Sequence, residues 1–157
     1  MQNKQPIQEI QVITGVAKWL RSQGWTADTI SVPRGQGLDT QTHKNEIKSI
    51  FREVRFSNEG PDIIVRHGDE LWRIECKGLG NVAPATLKNN FDRAVASAAS
   101  YYDQKGMRVG LALPEAYRKH ITQKLPRALR EAINLWIFLY VVDDEIYVWG
   151  PDEDMVL

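Results

Sequence analysis

The stretch Gly60-Pro61-Asp62-Ile63-Ile64-Val65-Arg66-His67-Gly68-Asp69-Glu70-Leu71-Trp72-Arg73-Ile74-Glu75-Cys76-Lys77-Gly78 decides how this sequence is read. Residues 62–66 and 70–77 are short apolar runs around the turn-forming His67-Gly68-Asp69, the pattern of a β-hairpin. Ser57-Asn58-Glu59-Gly60-Pro61 ahead of it is a strong turn signal, and Gly78-Leu79-Gly80-Asn81 breaks the second strand. Side chains alternate between faces along a strand. Leu71, Arg73, Glu75 and Lys77 therefore share one face, which grows polar toward its end. Trp72, Ile74 and Cys76 share the other, which reads as core. Pairing about the turn brings Asp62 opposite the end that carries Glu75 and Lys77. Two carboxylates and a lysine are thus expected to converge at one edge of a sheet.

Working outward, residues 6–22 read as an amphipathic helix with Pro6 in its first turn. Ile10, Ile13, Val16, Ala17 and Leu20 recur at helical spacing, and Gly24 suits the stop. Residues 25–32 form a strand closed by Pro33, and Ile47, Ile50, Phe51 and Val54 give residues 42–54 a helical period that can pass into a strand at its end. Pro84 opens a long helix to about Asp103, with Leu87, Phe91, Ala94, Val95, Ala98 and Tyr102 on one stripe. A strand at 107–113 stops at Pro114, and the helix after Glu115 is interrupted near Pro126, which cannot donate in a helix interior. Residues 135–142 are an unbroken apolar run suited to a buried strand, turned by Asp143-Asp144 into a last strand at 145–149. The order gives an α/β fold, a mixed β-sheet flanked by helices, with residues 1–157 as one domain.

The 20 Lys and Arg balance 20 Asp and Glu, which excludes a histone-like polybasic binder. The balance hides a gradient: residues 1–60 carry 8 basic and 6 acidic side chains, and residues 111–157 carry 5 and 8. Asp143, Asp144, Glu145, Asp152, Glu153 and Asp154 bunch at the end, either a solvated surface or a docking surface for a protein partner. One cysteine forms no internal bridge, and no Cys/His spacing resembles a zinc site. The opening MQNKQPIQEI lacks a signal-peptide core, and no run of 18 apolar residues occurs, so a soluble cytoplasmic protein without membrane contact is expected.

Paired carboxylates repel, and a proton or a cation must relieve them. Hard oxygen ligands suit Mg²⁺ or Mn²⁺, which bind phosphate oxygens while keeping several waters. Such a metal lowers the pKa of its water and offsets charge building on a phosphoryl group. A neighbouring lysine orients or deprotonates that water, or stabilises the developing charge. A plain surface ion pair of Lys77 with Glu75 or Asp62 is the other reading of the same residues.

Pro-Asp opening an apolar strand, twelve residues from Asp62 to Glu75, and Ile74-Glu75-Cys76-Lys77-Gly78 closing the next strand resemble the signature of the PD-(D/E)xK, or restriction-endonuclease-like, phosphodiesterases. The element order of residues 6–113 is similar to that superfamily's α-β-β-β-α-β core, closest to its Holliday junction resolvase and Mrr-like branches. Residues 38–59 would then be an insertion, and 114–157 a C-terminal extension of a helix and a β-hairpin. The resemblance implies a metal-dependent endonuclease hydrolysing DNA, with Asp62 and Glu75 as Mg²⁺ or Mn²⁺ ligands. It makes the Cys76 backbone carbonyl a further ligand and Lys77 the catalytic lysine. Many members add a glutamate from the first helix. Glu9 fits, because it lies on the stripe of Ile13, Val16 and Leu20; its alternative is a first-turn glutamate facing water, and Glu46 is its rival. The competing functional expectations are a non-catalytic DNA- or protein-binding scaffold and an accessory subunit of a larger complex. DNA is the expected partner, with a homodimer as a further possibility.

Arg34, beside the Gly35-Gln36-Gly37 loop, and Lys88 and Arg93, on the helix after the Glu-x-Lys strand, are candidate phosphate contacts or solvated charges. Gly35-Gln36-Gly37 and Gly78-Leu79-Gly80 lack the lysine and spacing of nucleotide-binding loops. Cys76 alternates onto the apolar face and reads as an inert buried thiol. Tyr101 and Tyr102 read as packing residues, and Trp149 as a partner contact or core.

Overall fold

The computed structural model describes residues 6–34, 39–80 and 83–155. The glycine loop beside Arg34, position 38 of the insertion and Asn81 lie outside them. In chain order the elements are α1 (Glu9–Ser22), β1 (Thr26–Ile30), α2 (Thr40–Ile50), β2 (Arg55–Phe56), β3 (Ile63–His67), β4 (Glu70–Cys76), α3 (Pro84–Ser100), β5 (Arg108–Pro114), a 3₁₀ turn (Glu115–Tyr117), α4 (Arg118–Lys124), α5 (Arg127–Ala132), β6 (Leu135–Tyr140) and β7 (Ile146–Trp149). One seven-stranded sheet results, in the order β2-β1-β3-β4-β5-β6-β7. β1, β3 and β4 are antiparallel neighbours, whereas β4, β5 and β6 run parallel, so the sheet is mixed.

The hairpin turns in two residues. Gly68 takes φ +60, as a two-residue hairpin loop requires at its first position, and His67 pairs with Glu70. Asp143 and Asp144 both take positive φ (50 and 63), and this primed turn joins β6 to β7. Pro126 does separate α4 from α5.

Each sheet face has its own apolar layer. α1 and α2 cover one with Ile13, Val16, Leu20 and Ile47 against Ile63, Trp72, Ile74 and Cys76. α3 and α4 cover the other with Phe91, Ala94, Ala98 and Ile121 against Leu71, Val109, Leu111 and Ile137. The face of β4 that carries Glu75 is apolar at its start, in keeping with a face that grows polar only toward its end. Leu71 is buried under α3, and half-buried Arg73 binds the Tyr101 carbonyl at 2.9 Å and Asp103 at 2.8 Å. β4 lies inside the sheet, so both of its faces are roofed.

α1 starts at Glu9, three residues later than Pro6 implies. The cause is long-range: the Ile7 carbonyl accepts the Leu79 N–H at 2.8 Å, and Gln8 stays extended. The helix start thereby lies against the end of β4. A Cβ on Gly78 would stand 2.4 Å from the Glu9 nitrogen and 2.9 Å from the Gln8 carbonyl carbon, both backbone atoms that cannot swing away. Gly78 has no positive φ, so its requirement is steric. We expect Gly78→Ala to cost about 1–3 kcal/mol through overpacking, or roughly 2–10 °C in Tm for a chain of this size. A thermal melt matching wild type would show that α1 and the β4 end are not in contact.

Candidate active site

Extending the β3–β4 register one step past Ile63↔Ile74 sets Asp62 beside Glu75. Directly opposed residues point to the same face of a sheet. Asp62 Oδ2 accepts the Cys76 N–H at 2.8 Å, and the Asp62 carbonyl accepts the Ser31 N–H at 2.8 Å, so this residue ties β1, β3 and β4 together. Lys77 follows β4 directly, its N–H held by the Ala112 carbonyl of β5 at 3.0 Å. Glu9 reaches the same sheet end through the Gly78 contact. Asp62, Glu75, Lys77 and Glu9 are all half-buried.

Their charges act on one another. Burial, then the Glu75 and Glu9 charges, push the Asp62 carboxyl up to about 8, against the pull of the Cys76 N–H and Lys77. Burial raises Glu75 too, while a hydrogen bond from Tyr101 and the Lys77 charge draw it down. Burial raises Glu9, with Lys77 lowering it and Glu75 raising it. One ammonium thus serves three acids, and the cluster is short of positive charge. The groups that act on Asp62 include Glu9 but not Glu46, which instead acts on Lys18 across the α1–α2 packing. The structure brings Glu9 to the cluster and leaves Glu46 out of it.

Tyr101, at the end of α3, is the member that sequence reasoning took for a packing residue. Its hydroxyl donates to Glu75 Oε2 at 2.6 Å. Burial and the Glu75 carboxylate push its own pKa up, so it stays a donor. Its 26-residue separation from Glu75 leaves no local signal. Cys76 is buried at 1% exposure, and burial followed by the Asp62 and Glu75 charges raises its thiol far from reactivity, as its apolar face implies.

The donor chemistry fits a hard dication: three carboxyls short of counter-charge, Asp62 and Glu75 each with one oxygen beyond the one hydrogen-bonded. The side chains are not closed around such an ion. Among the described residues no group of three or more His, Cys, Asp or Glu is arranged to hold a metal.

The proposed phosphate contacts fare differently. Lys88 pairs with Asp92 at 3.1 Å, and Asp92 also binds Lys124 at 2.9 Å, so this charge is partly spent. Arg93 and Arg34 are exposed. Two of the C-terminal acids pair with their own chain, Asp144 with Lys18 and Asp154 with Arg127. Among the described residues, no helix is long and apolar enough to cross a membrane. The chain matches no protein-family model, no curated protein and no solved structure.

The raised Asp62 value sets a sign for stability. Without metal, folded Asp62 keeps its proton between an ordinary 3.8 and about 8, a window in which the unfolded chain has lost it. The folded state binds more protons there, so this stabilisation is full at low pH and is lost as pH rises through the window. Glu9 and Glu75 shift the same way. We expect metal-free wild type to lose Tm from pH 5 to pH 8, and Asp62→Asn, which keeps an acceptor for the Cys76 N–H, to lose less. The difference at pH 8 should be about 1–3 kcal/mol, the usual cost of an uncompensated buried polar group. Parallel melting curves for the two proteins would contradict the burial of a carboxylate here.

Proposed function

We propose that this chain is a metal-dependent phosphodiesterase acting on DNA, of the PD-(D/E)xK kind that its sequence resembles. The observation that carries the reading is the convergence of Asp62, Glu75, Glu9 and Lys77 at one sheet end, with too little positive charge of its own. A folded protein gains nothing from burying three acids around one lysine, since like charges and desolvation both cost stability. A catalytic centre does.

Asp62 and Glu75, with Glu9 and the Cys76 carbonyl, would hold Mg²⁺ or Mn²⁺, which supplies a more acidic water and offsets charge at the phosphoryl group. The protein's own contribution is positioning. The Cys76 N–H fixes the Asp62 carboxylate, and the Tyr101 hydroxyl fixes that of Glu75. Lys77 projects from the same strand end, where its ammonium orients the attacking water or steadies the negative charge that grows as the phosphorus–oxygen ester bond breaks. The rigid sheet holds these groups in place more narrowly than a loop would.

The second reading, a scaffold that binds without cleaving, draws on the hydrogen bonds that already occupy one oxygen each of Asp62 and Glu75. Activity separates the two. Plasmid, linear and branched DNA should be cut in Mg²⁺ or Mn²⁺ and left intact in chelator. Lys77→Ala should slow cutting by about 10²–10⁴-fold, the usual scale of a proton-transfer or charge-stabilising group. Undiminished cutting by Lys77→Ala would remove Lys77 from the chemistry. Folded wild type that cuts none of these DNAs would favour the scaffold.

A further inference from the structure

We propose that the segment carrying α2 and β2 is a DNA-backbone contact surface, with Lys44 and Lys48 as its centre. The identity of the polyanion rests on the phosphodiesterase reading; the surface itself rests on separate residues.

Lys44 and Lys48 stand one helical turn apart on α2, and both ammonium groups lie over one ring, that of Phe56 on β2, at 5.4 and 5.7 Å from its centroid. Like charges at this spacing repel along a helix. Here they are gathered rather than spread, and among the described residues neither forms an ion pair. The acid on the same helix, Glu46, acts on Lys18 of α1 instead. Exposed Arg52 and Arg55 continue the positive surface into a cleft of about 940 Å³ that Arg21 also lines. Of the acids lining that cleft, Asp28 is bound by Arg66, and Glu53 is left to answer three arginines. In a chain of zero net charge, this is a local excess of positive charge with an aromatic floor.

The Phe56 side of the surface lies at the reactive end of the sheet, and the arginine cleft runs toward the other end, where Trp25 and Thr26 line it. Phe56 pairs with Ile30, Ile30 with Ile63, and Asp62 immediately precedes Ile63. Two strand spacings separate β2 from β3 in the sheet plane, about 10 Å, and α2 packs on the face opposite that of Asp62 and Glu75. A backbone with a phosphate at the carboxylate cluster would reach Lys44 and Lys48 by crossing over this end of the sheet. The lysines carry charge without a planar fork for reading bases, which suits backbone contact over sequence recognition.

The test measures binding apart from cleavage, by titrating a labelled DNA duplex in chelator between 50 and 200 mM salt. Losing two phosphate contacts reduces the slope of log affinity against log salt by about 1.8. Lys44→Gln/Lys48→Gln should therefore lose about tenfold less affinity than wild type across that range. Lys44→Arg/Lys48→Arg should keep the wild-type slope, and so should Lys105→Gln/Lys119→Gln, which removes two exposed lysines elsewhere. Circular dichroism melts confirm that each variant is folded. An unchanged slope in the Gln pair, an equal drop in the Lys105/Lys119 control, or wild type that does not bind DNA would each overturn the proposal. Tighter binding of an RNA duplex than of DNA would overturn the choice of polyanion. Wild type that binds with the full slope yet never cuts leaves this surface standing while the phosphodiesterase reading falls. Wild type that cuts DNA while the Gln pair keeps its slope does the reverse.

Discussion

Two carboxylates set side by side across an antiparallel pair are the constraint on which the rest of this structure turns. The β3–β4 register leaves Asp62 no alternative to facing Glu75, because shifting it by one residue would carry Ile63, Val65, Trp72 and Ile74 out of the core. Apolar burial therefore fixes the position of the acids. Around them the chain supplies donors from three directions: the Cys76 N–H from β4, the Tyr101 hydroxyl from the end of α3, and the Lys77 ammonium. These partners reduce the strain without removing it. Asp62 stays raised in spite of them, and a third acid, Glu9, is added to the deficit.

What could be read from the sequence follows the range of the forces involved. The hairpin and the opposition of Asp62 to Glu75 are local consequences of a period of two around Gly68, and they hold, although His67 belongs to β3 and the turn is one residue shorter than expected. The break at Pro126 and the Asp143-Asp144 turn hold for the same reason, since each is written in one or two residues. Contacts between distant residues decide the rest. Pro6 suits a helix start, but the Ile7 carbonyl is taken by Leu79, and α1 begins at Glu9. Tyr101 reaches Glu75 only because α3 folds back over β4, which no spacing encodes. The choice between Glu9 and Glu46 could not be made on periodicity, as both lie on amphipathic helices; the packing of Gly78 against the α1 start makes it.

The two ends of the central strands carry opposite chemistry. At the end opposite the acids, the Arg108 guanidinium sits 4.5 Å from the Trp136 ring centroid, 5.1 Å from Trp72 and 5.2 Å from Trp25, with Glu70 at 3.5 Å. Such a cation has its charge met by ring faces and a carboxylate, each contact contributing about 0.5–2 kcal/mol depending on burial. The charge at that end is met within the fold and serves stability. The acidic end is short of positive charge, and that asymmetry within one pair of strands is what the proposed cation and phosphate would answer.

The helix that bears Glu9 is held at both ends by contacts of unequal weight. Near its C-terminal end, Lys18 pairs with Asp144 in the β6–β7 turn. That pair is solvent-exposed, and exposed pairs contribute only about 0–1 kcal/mol. At the N-terminal end, the Leu79–Ile7 hydrogen bond and the steric fit of Gly78 hold the backbone itself. The position of Glu9 therefore depends on β4, the strand that also ends in Glu75 and Lys77, and hardly on the acidic C-terminal region. The same pairing spends part of the charge that made that region look like a docking surface, along with Asp154 on Arg127. Arg130, buried beneath, donates to the carbonyls of Gly150, Pro151 and Glu153 and folds the segment back onto its own chain. The C-terminal segment is thus tied down through its backbone carbonyls, while the acids gathered around β4 leave that end electrically incomplete.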